Sequence, residues 1–286
     1  MVIEERKIKE IEHSDRRRSI VKAYEYRTDA SSDQVEGKYV EEKSEFEQHF
    51  SNMKFYSIAR SSFAYRDALL FNGIKGAITL DYCCGNGEVA IEMAKKGAAK
   101  VFGIDISSVA IKNACELAER AGVDAVCEFS VMDAEHTKFA DNTFDIIHEY
   151  GALHHLELKA AFPELARILK PGGKMVCTEA LRHNPFIHWY RTRTPHLRTQ
   201  WEVDHILGVP EISSGRAFFE TMDVRMFHLA ALAAVPMRNN PFFNKLLGIM
   251  ETIDNFILSI PFVRWWAWVA VVEYGRPKKL SVEKAG

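Results

Sequence analysis

The sequence has few of the features that would assign it at once, and each absence excludes something. No apolar run is long enough to cross a bilayer. The greasiest stretch, FILSIPFVRWWAWVAVV from Phe256 to Val272, contains Pro261 and Arg264 and falls short of the ~20 residues a spanning helix needs. It reads as a helix end followed by a buried strand, with peripheral membrane contact through Trp265, Trp266 and Trp268 as the alternative. Positive charge is not in excess: 37 Lys and Arg against 39 Asp and Glu give a net charge of -2, so no overall basic field would hold nucleic acid. The run Arg16 to Arg18 lies in a highly charged segment and reads as a solvated face. The five cysteines, Cys83, Cys84, Cys115, Cys127 and Cys177, include no C-x-x-C spacing and no accompanying His/Cys set, which speaks against structural zinc or any other metal centre. The N-terminal MVIEERKIKEIEHSDRRR is charged throughout, so no secretory leader is read there, and a reducing, cytoplasmic setting without disulfides is expected. Internal repeats and low-complexity tracts are also missing.

What is present is an alternation. From Gly76 to Ala180, short apolar runs (AITLDY, KVFGID, AVCEFSV, FDIIHEY, KMVCTEA) are separated by amphipathic stretches (EVAIEMAKKG, SSVAIKNACELAERAG, LELKAAFPELARIL). Ser107 or Ser108 suits the start of the second helix and Gly122 its end. Pro163 marks a possible break in the third helix, and KPGG reads as a turn before the fifth strand. Apolar strands separated by helices predict a parallel sheet covered on both faces. The segment before Gly76 is polar, with helical patches VEEKSEFEQHF and SSFAYRDALLF. After Ala180 come LRHNPFIHWYRTRTPHLRTQW, a strand-like DVRMFHLAAL, an amphipathic NPFFNKLLGIMETIDNFIL and a last strand WWAWVAVVEY. The organisation read from this is a helical extension or lid at 1–70, an α/β core at 71–180, and a substrate-side insertion with the final strands at 181–286.

Four features stand at strand ends, where ligands of open α/β sheets bind. The first is LDYCCGNGE, a small-residue turn (Cys83, Cys84, Gly85, Asn86, Gly87) between strand and helix, where backbone can approach a ligand and a helix N-terminus faces it. The second is Asp105 in GIDIS, followed by Ile106, whose carboxylate can accept from both hydroxyls of a ribose. Asp133 in VMDAE is the third, placed to accept from an adenine amino group while backbone at Met132 and Ala134 meets the ring edge. FDIIHEYGALHHL, on the fourth strand and its exit loop, is the fourth. Either aspartate alone reads equally well as a helix cap. Both at the spacing of the family that the chain resembles favour a ligand.

In this order and at these distances the stretches resemble the class I S-adenosylmethionine-dependent methyltransferases, in particular the small-molecule group that includes ubiquinone and menaquinone methyltransferases. The resemblance covers about Gly76 to Ala180, with LKPGGKMV as a fifth matching stretch and a looser match of the final strand pair. It implies a Rossmann-like, seven-stranded, mostly parallel α/β sheet with an antiparallel last strand. It also implies S-adenosylmethionine as cofactor and S-adenosylhomocysteine as product. By the same resemblance Asp81 orders the glycine turn near the methionyl amine, Asp105 holds ribose, Asp133 reads adenine, and Glu149, Tyr150 and Gly151 border the transfer crevice. One residue departs from the pattern. Cys83 stands where the family usually has glycine, so a negative φ, or a slightly opened turn, is expected there. A dehydrogenase would need G-x-G-x-x-G, and only Gly85 and Gly87 are supplied. No NPPY-type tetrapeptide follows the fourth strand, which speaks against nucleic-acid methylation.

Further candidates carry a bland alternative each. His155, then His154, His148 and Glu149, are candidate bases, or loop residues that only pack. Tyr56 is a lid residue over the cofactor or plain packing. Arg191, Arg193, His196 and Arg198, with Trp201 and the aromatics Phe186 and Trp189 nearby, either grip an anionic, partly apolar acceptor or form a charged surface over the insertion's own core. The cysteine pair reads as inert turn residues rather than reactive thiols. The function expected is methyl transfer to an oxygen or carbon of a small molecule. The alternatives are C-methylation of an isoprenoid, quinone or lipid, and cofactor binding without catalysis.

Overall fold

The computed structural model describes residues 4–28 and 51–278. The patch VEEKSEFEQHF lies outside the described residues. Strands β1 (Ile78–Tyr82), β2 (Lys100–Asp105), β3 (Cys127–Val131), β4 (Phe144–Tyr150), β5 (Leu169–Ala180), β6 (Phe219–Phe227) and β7 (Val269–Pro277) form one sheet in the order β3-β2-β1-β4-β5-β7-β6. β1 to β5 run parallel, and β7 is antiparallel to both of its neighbours. This is the seven-stranded, mostly parallel arrangement that the resemblance implies.

Helices cover the sheet: α1 (Glu5–Thr28), α2 (Met53–Tyr56), α3 (Arg60–Leu70), α4 (Glu88–Lys95), α5 (Ser108–Ala121) and α6 (Leu158–Ile168). In the C-terminal part follow α7 (Pro185–Arg193), α8 (Gln200–His205), α9 (Val209–Ser214) and α10 (Phe243–Ile257). The period of two in the strands divides the core between the faces. Ile147, Met175 and Val272 pack with Leu80 and Phe162 in one cluster. Their neighbours Ile146, Val176 and Val271 fall in two others, with Met93 and Val101 or with Phe55 and Ile187. Each fully buried side chain of this kind contributes ~1.5–3 kcal/mol.

The caps of α5 are as expected: Ser107 Oγ accepts from the Ala110 amide at 3.0 Å, and Gly122 ends the helix with φ +67°. Two local expectations are corrected. Pro163 does not break α6, because Ala161, Phe162, Leu165 and Ile168 on either side of it are buried and hold the turn helical. KPGG is not a turn before β5 but a bulge within it: Phe144 pairs with Leu169, then Ile146 pairs with Lys174. Gly173 is required there, since a Cβ would stand 2.9 Å from the Asp145 carbonyl oxygen. Of the tryptophans considered for membrane contact, Trp268 is buried, Trp265 half-buried and only Trp266 exposed. All five cysteines are free.

Candidate cofactor and acceptor site

The turn after β1 is pinned by backbone. Cys84 N–H donates to the Ile104 carbonyl at 2.8 Å, Gly87 N–H to the Cys84 carbonyl at 2.9 Å, and Gly85 N–H to Asp105 Oδ2 at 3.0 Å. These bonds force Cys83 to φ +59°, so the negative φ expected from its side chain is not adopted. A left-handed non-glycine residue costs ~1–2 kcal/mol, which the surrounding bonds offset. Burial, then the Asp105 and Glu149 carboxylates, push the Cys83 thiol well up. Burial and Asp81 do the same to Cys84. Neither is a thiolate near neutral pH.

Asp81 is buried and joins two elements. Oδ2 accepts from the Ala90 amide in the first turn of α4 at 3.1 Å, and Oδ1 lies 2.8 Å from His148 Nδ1 on β4. His148 Nε2 is buried with no partner among the described residues. Asp105 takes Gly85 N–H on one oxygen and Ser107 N–H, at 2.9 Å, on the other. Burial nonetheless raises its pKa. Asp133 Oδ1 accepts from the Glu135 amide at 3.0 Å, and Oδ2 lies 2.7 Å from Lys7 Nζ.

All three aspartates line one cavity of about 830 Å³, with Cys83, Gly85, Ile106 and Ala134. Three expected cofactor residues do not line it. Gly87 packs on α5 and β3, where a Cβ would come within 2.9 Å of Ala114 and 3.1 Å of Phe129. Met132 spends its N–H on the Asp105 carbonyl at 3.0 Å. Glu149 stands behind the wall, accepting from the Ala152 amide at 2.5 Å and the Leu153 amide at 3.2 Å.

Beyond His148 the cavity continues between Tyr56, Tyr150, His154, His155, Arg191 and Arg198. Arg193, His196 and Trp201 are not part of it. Arg193 is two residues from Arg191 on α7, hence ~200° round the helix, and lies exposed over the Trp189 ring. His196 is exposed, and Trp201 is held between the Arg6 guanidinium at 4.4 Å and the His205 ring at 3.7 Å.

Three carboxylates face this half of the cavity, Glu10, Glu202 and, on β5, Glu179. Glu179 is the one held by β5 and the loop after β4. Its Oε1 accepts from the Leu153 amide at 2.7 Å, and Oε2 lies 2.7 Å from His154 Nδ1. Burial raises Glu179 to about 7, and burial with the Glu179 charge pushes Glu149 well up. His154 is lowered to about 3 by burial and the neighbouring His155. Burial also works against His155⁺, but Glu10, 2.8 Å from Nδ1, outweighs it and raises the imidazole. His154, His155 and Glu202 are close enough to suggest a metal centre. Their partners account for them instead: His154 hydrogen-bonds Glu179, His155 pairs with Glu10, and Glu202 pairs with Arg198.

Sequence reasoning missed the part played by α1. Arg17 and Arg18 line the cavity rather than forming a solvated face, and the Arg18 guanidinium lies where a side chain at residue 85 would go. Arg6 and Lys7 pair with Glu135 at 2.9 and 2.8 Å, Glu10 accepts from Thr199 at 2.5 Å, and Asp15 accepts from the Ser107 hydroxyl. The signal was the period: 7, 10, 14 and 17 share one helical face. Glu179 had a signal too, as the lone acid in the apolar run KMVCTEA.

Comparison with known proteins supports the same reading. A family described as a methyltransferase domain matches residues 79–173. The chain is 29% identical over 201 residues to a sterol 24-C-methyltransferase of Aspergillus fumigatus, covering 68% of this chain and 52% of that one. It is 35% identical over 125 residues to demethylmenaquinone methyltransferase of Lactiplantibacillus plantarum, covering 41% of this chain and 53% of the relative. The chain thus spans about half the length of these curated relatives. Among solved structures, geranyl diphosphate C-methyltransferase from Streptomyces coelicolor A3(2) superposes with a TM-score of 0.50 at 12% identity, over 76% of this chain and 80% of that one, and shares the fold. The match spans the segment that carries the turn, Asp105 and Asp133, so residues 79–173 are similar to a methyltransferase domain, in line with the class I S-adenosylmethionine-dependent methyltransferases that the sequence resembles.

Proposed function

We propose that the chain moves a methyl group from S-adenosylmethionine to an oxygen or carbon of a small acceptor with apolar and anionic parts. The observation that carries the reading is that Asp105, Asp133 and the Gly85 turn, from the ends of three neighbouring strands, open into one cavity. The residues present fit a nucleoside. Gly85 leaves the cradle free of a Cβ, so only the Arg18 guanidinium has to move from it; Asp105 can accept from ribose hydroxyls, and Asp133 from the adenine amino group once Lys7 yields one oxygen. S-adenosylmethionine, when bound, supplies a methyl carbon already activated by its sulfonium.

The chain's own residues then position the acceptor and take up its proton. Arg191 and Arg198 face the acceptor half of the cavity together with Arg17. Arg191 is lowered to about 10 by burial and by Arg198, the state that an anionic group would relieve. Tyr56, Phe63, Tyr150 and Trp268 form an apolar wall. Glu179, which titrates near 7, is suited to accept a proton, fixed by the Leu153 amide and His154; His155 is committed to Glu10. A second reading, C-methylation of an isoprenoid or quinone, is favoured by the same carboxylate among aromatic rings, which suits a centre that develops positive charge.

The test is incubation with methyl-labelled S-adenosylmethionine and a fractionated cell extract, followed by mass spectrometry of the labelled product. A labelled, acidic, partly apolar product supports the proposal. Cofactor binding with no labelled product from any fraction would favour a binding protein without catalysis.

A further inference from the structure

Apolar side chains that a folded domain would normally bury are gathered on one side of the C-terminal part. Phe242, Ile249, Ile253, Phe256, Phe262 and Trp266 are all exposed, Phe256 by 74% and Phe262 by 89%. Single exposed apolar residues are ordinary, but six within one short segment form a patch. Positions 249, 253 and 256 share a helical face of α10, while Leu247 and Asp254 on its other side are buried.

The charges on the segment are sorted by sign. Arg238 and Lys245 are exposed, and Arg264 lies over the Trp265 ring at 5.4 Å. Both acids are engaged elsewhere: Glu251 with Arg60 at 2.6 Å, and Asp254 with the amides of Leu229, Ala230 and Ala231. The surface left over is aromatic and cationic.

This surface reaches the cavity. Asn184 Nδ2 donates to the Trp266 carbonyl at 2.7 Å, tying the turn to the start of α7. There Phe186 and Trp189 are about half exposed and stacked at 6.0 Å, with the Arg193 guanidinium 4.5 Å from the Trp189 ring. Phe186 in turn meets Phe55, a cavity-lining residue, at 6.2 Å.

We propose that this face docks on an anionic lipid bilayer, with its aromatics at the headgroup boundary and Arg193, Arg238 and Lys245 toward lipid phosphates, bringing the cavity's rim to the membrane surface. Aromatic rings interleaved with cations are the composition of interfacial segments. No helix among the described residues is long and apolar enough to cross the bilayer, so the contact is peripheral. A second copy of the chain is the poorer occupant, because a two-fold interface would set these cations against their own copies. The inference does not depend on methyl transfer.

Flotation of the full chain with vesicles of phosphatidylcholine and phosphatidylglycerol in equal parts, and of phosphatidylcholine alone, tests it. The chain is expected to float with the anionic vesicles, less so at raised salt, and far less with the neutral ones. Phe256→Asp with Phe262→Asp should lower vesicle binding by about tenfold or more, with the circular dichroism melt and S-adenosylhomocysteine affinity unchanged. Phe262→Ala, at a nearly fully exposed position, is the milder variant and should lower it in the same direction. Absence of flotation, or flotation unaffected by the double substitution, overturns the proposal. So does self-association of the wild type that the double substitution abolishes without any vesicle binding.

Discussion

Lys7 Nζ stands 2.7 Å from Asp133 and 2.8 Å from Glu135, so the first turn of α1 is clamped to the end of β3 by a nearly buried cation. Burial works against the ammonium, yet its two carboxylate partners raise its pKa. Such a pair is strongly missed when one partner is removed. Lys7→Met should weaken the docking of α1 by ~1–3 kcal/mol, seen as faster amide exchange at residues 5–20 with exchange in β1 and β4 unchanged. Unaltered protection of α1 would contradict the clamp.

The second tether of α1 makes its docking pH-dependent. His155 is raised above 6.5 in the folded chain and Glu10 is lowered below 4.5. The histidine contribution is complete below pH ~6.5 and is lost as pH rises through the raised value; the glutamate contribution is lost as pH falls through its lowered one. Tryptic cleavage at Arg16 to Arg18, normalised to a peptide control, should therefore be slowest between these limits and speed up on the alkaline side. In His155→Gln the alkaline change should disappear.

Cys83 tests the turn. Replacing it with glycine removes a left-handed β-carbon and should change stability by no more than ~1 kcal/mol, while leaving S-adenosylhomocysteine binding intact. The wild-type thiol, half-buried and held well above its ordinary pKa, should react with iodoacetamide at pH 8 far more slowly than a free cysteine. Fast alkylation, or loss of binding in Cys83→Gly, would mean that the sulfur has a part in the site.

Glu179 carries a proton to about pH 7 because it is buried; its hydrogen bonds to Glu149 and the Leu153 amide and the His155 charge offset only part of that. Its folded pKa lies above the unfolded value, so the folded state loses stability as pH rises from about 4.5 to about 7. Glu179→Gln should therefore raise the melting temperature more at pH 8 than at pH 5. If Glu179 is the proton acceptor, kcat/KM of the wild type falls on the acid side of pH 7, and the variant loses most activity together with that limb. A variant that keeps both activity and the limb would exclude Glu179 as the acceptor.

What could be read in the sequence was what local pattern encodes. The turn, Asp105 and Asp133 lie at strand ends, and strand ends are marked by period and composition. Glu179 was hidden in a strand that its neighbours make apolar, and only the loop holding Leu153 and His154 brings it to the cavity. Arg17 and Arg18 were hidden for the opposite reason, since a charged helix face has no address until the surface it meets is known. Proximity along the chain misled at Arg193 and His196, which share a segment with Arg191 but not its direction. The φ of Cys83 is set by bonds to β2 and Asp105, which no residue preference at that position can report.

The central claim is that Asp105 and the Gly85 turn hold the nucleoside of S-adenosylmethionine. Calorimetric titration of the full chain with S-adenosylhomocysteine tests it most directly, alongside Asp105→Ala checked for folding by circular dichroism. The expected result is one-to-one binding by the wild type, weakened by ~1–3 kcal/mol in the variant. No binding by a folded wild type, or equal affinity in Asp105→Ala, would contradict it.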